Sequence, residues 1–371
     1  MSQQPTWWQA FGVDYADARQ RFRTAADHAG ADLSTYVHPD AKAPDGSELS
    51  IDVARLGPAR APHQLLAISG THGLEGGAGS AVQTAWLTHA AHSLPTDVAV
   101  TFVHALNPYG FAHATRTTEH NVDLNRNFVD HAKPYPQNAA YATLHEHLIP
   151  LEWTTDGLAQ SARTIDAFRA EQGADALFNT LASGQYTHPD GLIYGGQSRE
   201  WSNVTLQTII ERDLSQAQRI GLIDWHTGIG EYGEPFFLCF NGEDSAEQRE
   251  AARWWGAERV LDQRPHGLRR PDYQGLVFRG VEQFAKGRPV IGAVVEFGTR
   301  GSNASVANRL DQWLRSRAPA KPDALRDRQL RADVLDAFVP VSSVWRNSVL
   351  THGLQITAQA IHGLASAPEA P

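Results

Sequence analysis

Two apolar segments, HQLLAISG (63–70) and VAVTFVHALNP (98–108), stand apart by just enough chain for one crossover helix, and this spacing constrains the fold most. The first reads as a short buried strand ended by glycine. Between them, GAGSAVQTAWLTHAAHSL (77–94) has helical spacing with small residues at its start. Strand, helix, strand at this separation predicts a βαβ unit with two parallel strands. The stretch GTHGLEGG (70–77) falls at the strand exit and holds His72 and Glu75 three positions apart in a collar of glycines. Loops at this place in α/β proteins often carry function, and the glycines let the chain turn sharply there.

The rest of the chain alternates in the same way. A helix is expected over 8–30, strands at LSIDVARLG (49–57), RIGLIDWHTG (219–228), EPFFLCF (234–240) and PVIGAVVEFGT (289–299), and broken helix over about 141–182. Further helices are expected at VTLQTIIERDLSQAQ (204–218) and through a helical tail over 322–371. SGQYTHPDGLIYGGQSREWSN (183–203) reads as a long ordered loop or hairpin rimming a site, with Tyr186, His188, Tyr194 and Trp201 as candidate walls. Neither an internal repeat nor a linker is visible, so residues 1–371 are read as one α/β domain.

Composition narrows the function classes. A net charge of −9 with scattered arginines argues against nucleic acid as a partner. Cys239 is the only cysteine, so no disulfide can form within the chain. There is no basic-then-apolar leader pattern and no apolar run long enough to span a bilayer, and a cytoplasmic enzyme is expected. No G-x-S-x-G motif supports a serine esterase, and Lys286 in FAKGRP is in the wrong context for a phosphate-binding loop.

Three strand ends carry unusual polar residues: His72 with Glu75, His226 after LIDW, and Glu296 closing IGAVVEF. Loops at the carboxyl ends of parallel strands face a common crevice. Two imidazoles and a carboxylate form a ligand set for catalytic zinc with a position left for water, and Glu296 is the right type for a base beside that water. Each residue also has a plainer reading. His226 could be a capping or core histidine, and Glu296 could pair with Arg300 four residues on. Asp224 could orient the His226 ring if both side chains point the same way. His104, His113, His120 and His131 flank these motifs without ligand-like spacing, and Arg269 or Arg300 could read an acidic side chain on a substrate.

With NPYGF (107–111) and VDLNRNF (122–128), the motifs GTHGLEGG, DWHTG and VVEFG occur in an order that resembles the zinc carboxypeptidase superfamily, which includes aspartoacylase-type deacylases. The likeness covers roughly residues 60–130 and 220–300. It implies a mixed, mostly parallel central sheet with helices on both faces. It implies one zinc ion per chain on His72, Glu75 and His226, Glu296 as general base and proton shuttle, and Arg116 as the oxyanion-stabilising arginine. Asn125 and Arg126 match the pair that holds a substrate carboxylate. Tyr273, 23 positions before Glu296, has the spacing of the tyrosine that closes over substrate, though an ordinary loop tyrosine fits as well. The implied reaction is hydrolysis of an amide beside a free carboxylate, in a small peptide or in an N-acyl amino acid. A non-catalytic binding relative is the rival, and every matched position is filled. Oligomeric state is not readable from the sequence.

Overall fold

The computed structural model describes residues 6–91, 94–301, 303–318 and 322–366. The end of the predicted 77–94 helix, at 92–93, and the last five residues of the expected tail lie outside them. Seven strands form one sheet: β1 (Asp32–Lys42), β2 (Glu48–Leu56), β3 (His63–Ile68), β4 (Val98–His104), β5 (Arg219–Tyr232), β6 (Pro235–Leu238) and β7 (Val290–Gly298). Their order is β1-β2-β4-β3-β5-β7-β6. The four central strands β4, β3, β5 and β7 are parallel, and the flanking pairs are antiparallel.

Alternation along each central strand sends side chains to two different cores. Leu65, Ala67, Ile223, Trp225, Ala293 and Val295 join one, under helices that include Gly76–His89, Ala246–Trp255 and Ser343–Ala365. Leu66, Ile68, Leu222, Val290 and Val294 join the other, under helices Trp201–Asp213 and Val277–Phe284. The fold is therefore α/β, with a mixed, mostly parallel sheet and helices on both faces. A third apolar cluster draws on helices Ala139–Leu148, Ala174–Ala182, Asn303–Ser316 and Ala324–Phe338. Among the described residues no helix is long and apolar enough to cross a membrane.

Several elements differ from the sequence expectation. The first helix is two, Trp7–Ala10 and Tyr15–His28, and the second begins at Asp14, whose side chain accepts from the Asp17 amide. β1 has no counterpart in the sequence reading. It is an edge strand paired only with β2, mostly exposed, and contains Pro39, so it lacks the apolar signature of a central strand. Helices Ala246–Trp255, Val277–Phe284 and Asn303–Ser316 were also not expected.

His104 closes β4 inside the core, stacked at 4.6 Å on Phe22, with Nε2 2.8 Å from Ser80 Oγ and Nδ1 lacking a partner. Burial pushes this imidazole down to about 4 from 6.5. The unfolded chain then takes up the proton first as pH falls, so stability present above about pH 6.5 is lost towards pH 4, by ~3 kcal/mol from this group. Measured by denaturant unfolding across that range, the wild type should lose about this much more than His104→Phe; parallel curves would contradict the assignment.

Candidate active site

The chain leaves β3 towards β4 on one side and returns to β5 on the other, so strand order reverses at the β3–β5 pair. A crevice opens beyond the carboxyl ends of such strands. After β3, a 3-10 turn at Gly73–Glu75 runs directly into the helix Gly76–His89. Gly70 has φ +68°, a conformation natural to glycine. A Cβ on Gly73 would lie 1.9 Å from the Gly110 carbonyl carbon, so only glycine lets this turn pack against the Pro108–Ala112 helix. The turn delivers His72 and Glu75 to the crevice.

His226 and Glu296 are register partners on β5 and β7. Asp224 and Val294 lie two residues earlier on the same face. His72, Glu75, Asp224, His226 and Glu296 are all buried. One ligand atom from each of His72, Glu75 and His226 lies within 4.8 Å of the others. His72 Nδ1 is 2.9 Å from Glu75 Oε1, and His226 Nδ1 is 3.1 Å from both His72 Nδ1 and Glu75 Oε2. Two imidazole nitrogens and a carboxylate facing one point in a buried site suit a divalent cation. The outer nitrogens are backed by carboxylates. Asp123 Oδ1 is 3.2 Å from His72 Nε2, and Asp224 Oδ2 is 3.0 Å from His226 Nε2 without hydrogen-bond alignment. Asp224 is itself held by Thr71 Oγ1, which donates at 2.8 Å.

Burial alone would raise the Glu75 carboxyl, but His72 and His226 outweigh it and hold Glu75 ionised far below the usual range. Glu296 goes the other way. Burial, then the neighbouring negative charge of Glu75, raises it to about 8 against the pull of His226 and Arg116, and its Oε2 has no partner. Arg300, four residues on, pairs with Asp336 at 3.1 Å and not with Glu296.

Arg116 donates from Nε to Asp123 Oδ2 at 2.9 Å and from Nη1 to Glu75 Oε1 at 3.3 Å, with Nη2 2.7 Å from His72 Nε2. Its backbone amide donates to Asp311 Oδ2 at 2.8 Å, and Asp311 is gripped by Arg331. Asn125 Oδ1 accepts from the Val277 amide at 2.9 Å. Arg126 spans the carbonyls of Asn125 and Ala182 and sits 5.1 Å above the Tyr273 ring. Burial lowers its guanidinium pKa, and among the described residues no carboxylate forms a salt bridge with it. Burial pushes Tyr273 up to about 12. His72, Glu75, Arg116, Asn125, Arg126, His226, Tyr273 and Glu296 all line one cavity of about 590 Å³. The structure thus brings all eight sequence-derived candidates together.

The expected aromatic walls of the 183–203 loop are not found. Tyr186, His188, Tyr194 and Trp201 are not cavity walls; Leu192 and Ile193 reach it from that loop instead. The aromatic residues pack the loop onto its own surroundings. Tyr186 Oη donates to the Arg126 carbonyl at 2.7 Å, His188 lies against His145, and Trp201 against His38. The Tyr194 carbonyl accepts from the Asp123 amide, and Asn127 donates to the Gly195 and Ser198 carbonyls, so the loop buttresses the VDLNRNF segment. Arg269 and Arg300 do not line the cavity. His104, His113 and His131 bond elsewhere, and exposed His120 meets buried Glu200 at 3.1 Å in a grouping with half-buried Glu119. Asp123, unassigned from sequence, supports both His72 and Arg116; its place inside VDLNRNF was the available signal.

Several solved structures are similar to the chain at low identity. A carboxypeptidase A from Helicoverpa armigera is 12% identical, with 97% of this chain and 75% of that chain covered, at a TM-score of 0.47. Bovine thrombin-activatable fibrinolysis inhibitor is 10% identical over 94% of this chain and 99% of its own, at 0.43. A succinylglutamate desuccinylase from Chromobacterium violaceum is 17% identical over 87% and 74%, at 0.37. At these TM-scores the likeness is loose and carries no functional weight. No curated protein matches the sequence. One family model spans residues 11–352, and the chain belongs to that family, described as Protein of unknown function (DUF2817).

Proposed function

We propose that the chain is a zinc-dependent hydrolase of an amide bond adjacent to a free carboxylate, in a small peptide or an N-acyl amino acid. The observation that carries this reading is one cavity shared by three groups. They are the His72–Glu75–His226 ligand set, a Glu296 carboxyl with an unpartnered oxygen, and an Arg126 guanidinium without a carboxylate partner. His72, Glu75 and His226 would hold one zinc ion, which when bound supplies a water of lowered pKa and polarises the amide carbonyl.

The remaining steps belong to the chain's own side chains. Glu296 removes a proton from the attacking water and delivers it to the departing amine nitrogen. Its raised basicity, which a nearby cation would draw down, suits a group that must both take and return a proton. Arg116, fixed through Nε by Asp123, leaves its two Nη groups at the ligand end of the cavity, where negative charge develops on the carbonyl oxygen. Asn125 and Arg126 receive the substrate carboxylate, whose geometry a guanidinium fork matches once it exchanges the Asn125 and Ala182 carbonyls it spans for the substrate. Tyr273, on the Arg126 face, would cover the bound residue. The whole chain acting as one catalytic domain, in the cytoplasm, is part of the same proposal; its one cysteine, Cys239, is buried and unpaired. Small amides are the partners, with neither nucleic acid nor a membrane involved.

Glu296→Gln keeps the cavity's shape but removes the base. Turnover should fall by about 10²–10⁴-fold while one zinc per chain is retained, as read by steady-state kinetics beside metal analysis. Retained turnover would contradict the assigned role. Asp224→Asn and Asp123→Asn should each weaken zinc affinity by about 10–100-fold in a competition titration, because each removes the charge behind a ligand imidazole. Unchanged affinity in both variants would remove these carboxylates from the metal site.

A further inference from the structure

A second grouping of ligand-type residues lies outside the cavity, on the turn between Arg116 and Asp123. Glu119, His120 and Glu200 bring one ligand atom each within 4.8 Å of the others. The turn closes where the Thr118 amide donates to the Val122 carbonyl and the Asn121 amide to the Thr118 carbonyl, with Asn121 at φ +60°. His120 Nδ1 then stands 3.1 Å from Glu200 Oε2 and 3.7 Å from Glu119 Oε1. Donors bound at about 2.0–2.2 Å on neighbouring positions of one ion are about 3.0–3.6 Å apart, so both separations are close to what a shared ion requires.

Both carboxylates are set in place by the fold. His38 Nδ1 accepts from the Asp40 and Ala41 amides, so its Nε2 carries the hydrogen and donates to Glu119 Oε1 at 2.9 Å. Glu200 is 6% exposed and opens the helix Trp201–Asp213 without capping it. Its only side-chain hydrogen-bond partner among the described residues is His120, whose side chain is 71% exposed. Neither carboxylate has an arginine or lysine salt-bridge partner among the described residues. A buried carboxylate answered by one exposed ring is poorly compensated. The atom facing both carboxylates, His120 Nδ1, carries either a proton or a cation.

We propose that Glu119, His120 and Glu200 form a second divalent-cation site, separate from the His72–Glu75–His226 set, with water completing the coordination on the exposed His120 side. Two carboxylates and one imidazole suit an ion of the manganese kind. The ion ties the turn between Arg116 and Asp123 to the start of the helix Trp201–Asp213 and, through His38, to β1. That helix start already grips Asn127, whose Oδ1 accepts from the Glu200 amide and from Asn203 Nδ2. A cation therefore braces the same segment from its other end.

The test titrates Mn2+ into protein carrying one equivalent of zinc, with free Mn2+ counted by electron paramagnetic resonance. Zinc outbinds manganese at a given nitrogen and oxygen site, so zinc on the first set is not displaced. One Mn2+ per chain should bind in wild type and in His72→Ala, which lacks the first set. His120→Ala, at an exposed position, and Glu200→Gln, which keeps the side-chain shape, should each weaken binding by at least about tenfold, the loss that even an outer-shell partner causes. Hydrogen exchange at the Thr118 and Asn121 amides should slow on manganese addition in wild type and not in His120→Ala. No binding up to millimolar Mn2+ would show an ion-pair cluster and overturn the site. Binding unmoved by both variants, or lost in His72→Ala and kept in His120→Ala, would overturn it as well. Binding with unchanged exchange would overturn the bracing.

Discussion

The structure turns on a buried meeting of two imidazoles and a carboxylate. His72 Nδ1 and His226 Nδ1 face each other at 3.1 Å, each also within 3.1 Å of Glu75. Buried polar groups require partners, and buried charges require pairing or a metal. Asp123 and Asp224 stand behind the rings, which directs the inner nitrogens towards the common point. The Thr227 amide donates to Glu75 Oε2 at 3.0 Å and fixes the carboxylate. In the proposed function a cation at that point is held by all three groups, and the neighbouring Glu296, without a partner on one oxygen, serves as the base.

The sheet makes this meeting possible. His72 follows β3, His226 lies on β5 and Glu296 on β7, three consecutive parallel strands in space. Register pairs His226 with Glu296 directly, and a one-residue slip would turn Glu296 to the other face. Trp225 and Phe297, stacked at 5.7 Å on that opposite face, hold the register from behind. The long loop after Ala182 adds a second constraint by bracing the segment that carries Asp123, Asn125 and Arg126. Precision at the site thus comes from rigid strands and a braced loop acting together.

Central strands and the strand-end candidates His72, Glu75, His226 and Glu296 stood out in the sequence because their signals are local, whereas Arg116, Asn125, Arg126 and Tyr273 were named only through the family resemblance. Continuous apolar runs mark strands buried on both faces, and charged groups at their ends stand out against them. β1 was not legible because an exposed edge strand with a proline carries no such contrast. The aromatic residues of 183–203 misled for a related reason, since nothing local distinguishes a ring facing a cavity from one packed on a neighbouring loop. Asp123 lay in a recognised motif, but its double contact with His72 and Arg116 depends on geometry across 51 and 7 residues. The Arg331–Asp311 support of Arg116 is longer in range still and left no trace in the sequence.

The central claim is that His72, Glu75 and His226 bind one metal ion together. A crystal structure of zinc-soaked protein, with anomalous maps on both sides of the zinc edge, tests it directly. The account predicts one zinc at this point in each chain, with His72 and His226 each bound through Nδ1 at about 2.0–2.1 Å and Glu75 oxygen at about 2.0–2.2 Å. No zinc at this point under saturating metal, or zinc bound without His72 and His226, would contradict it.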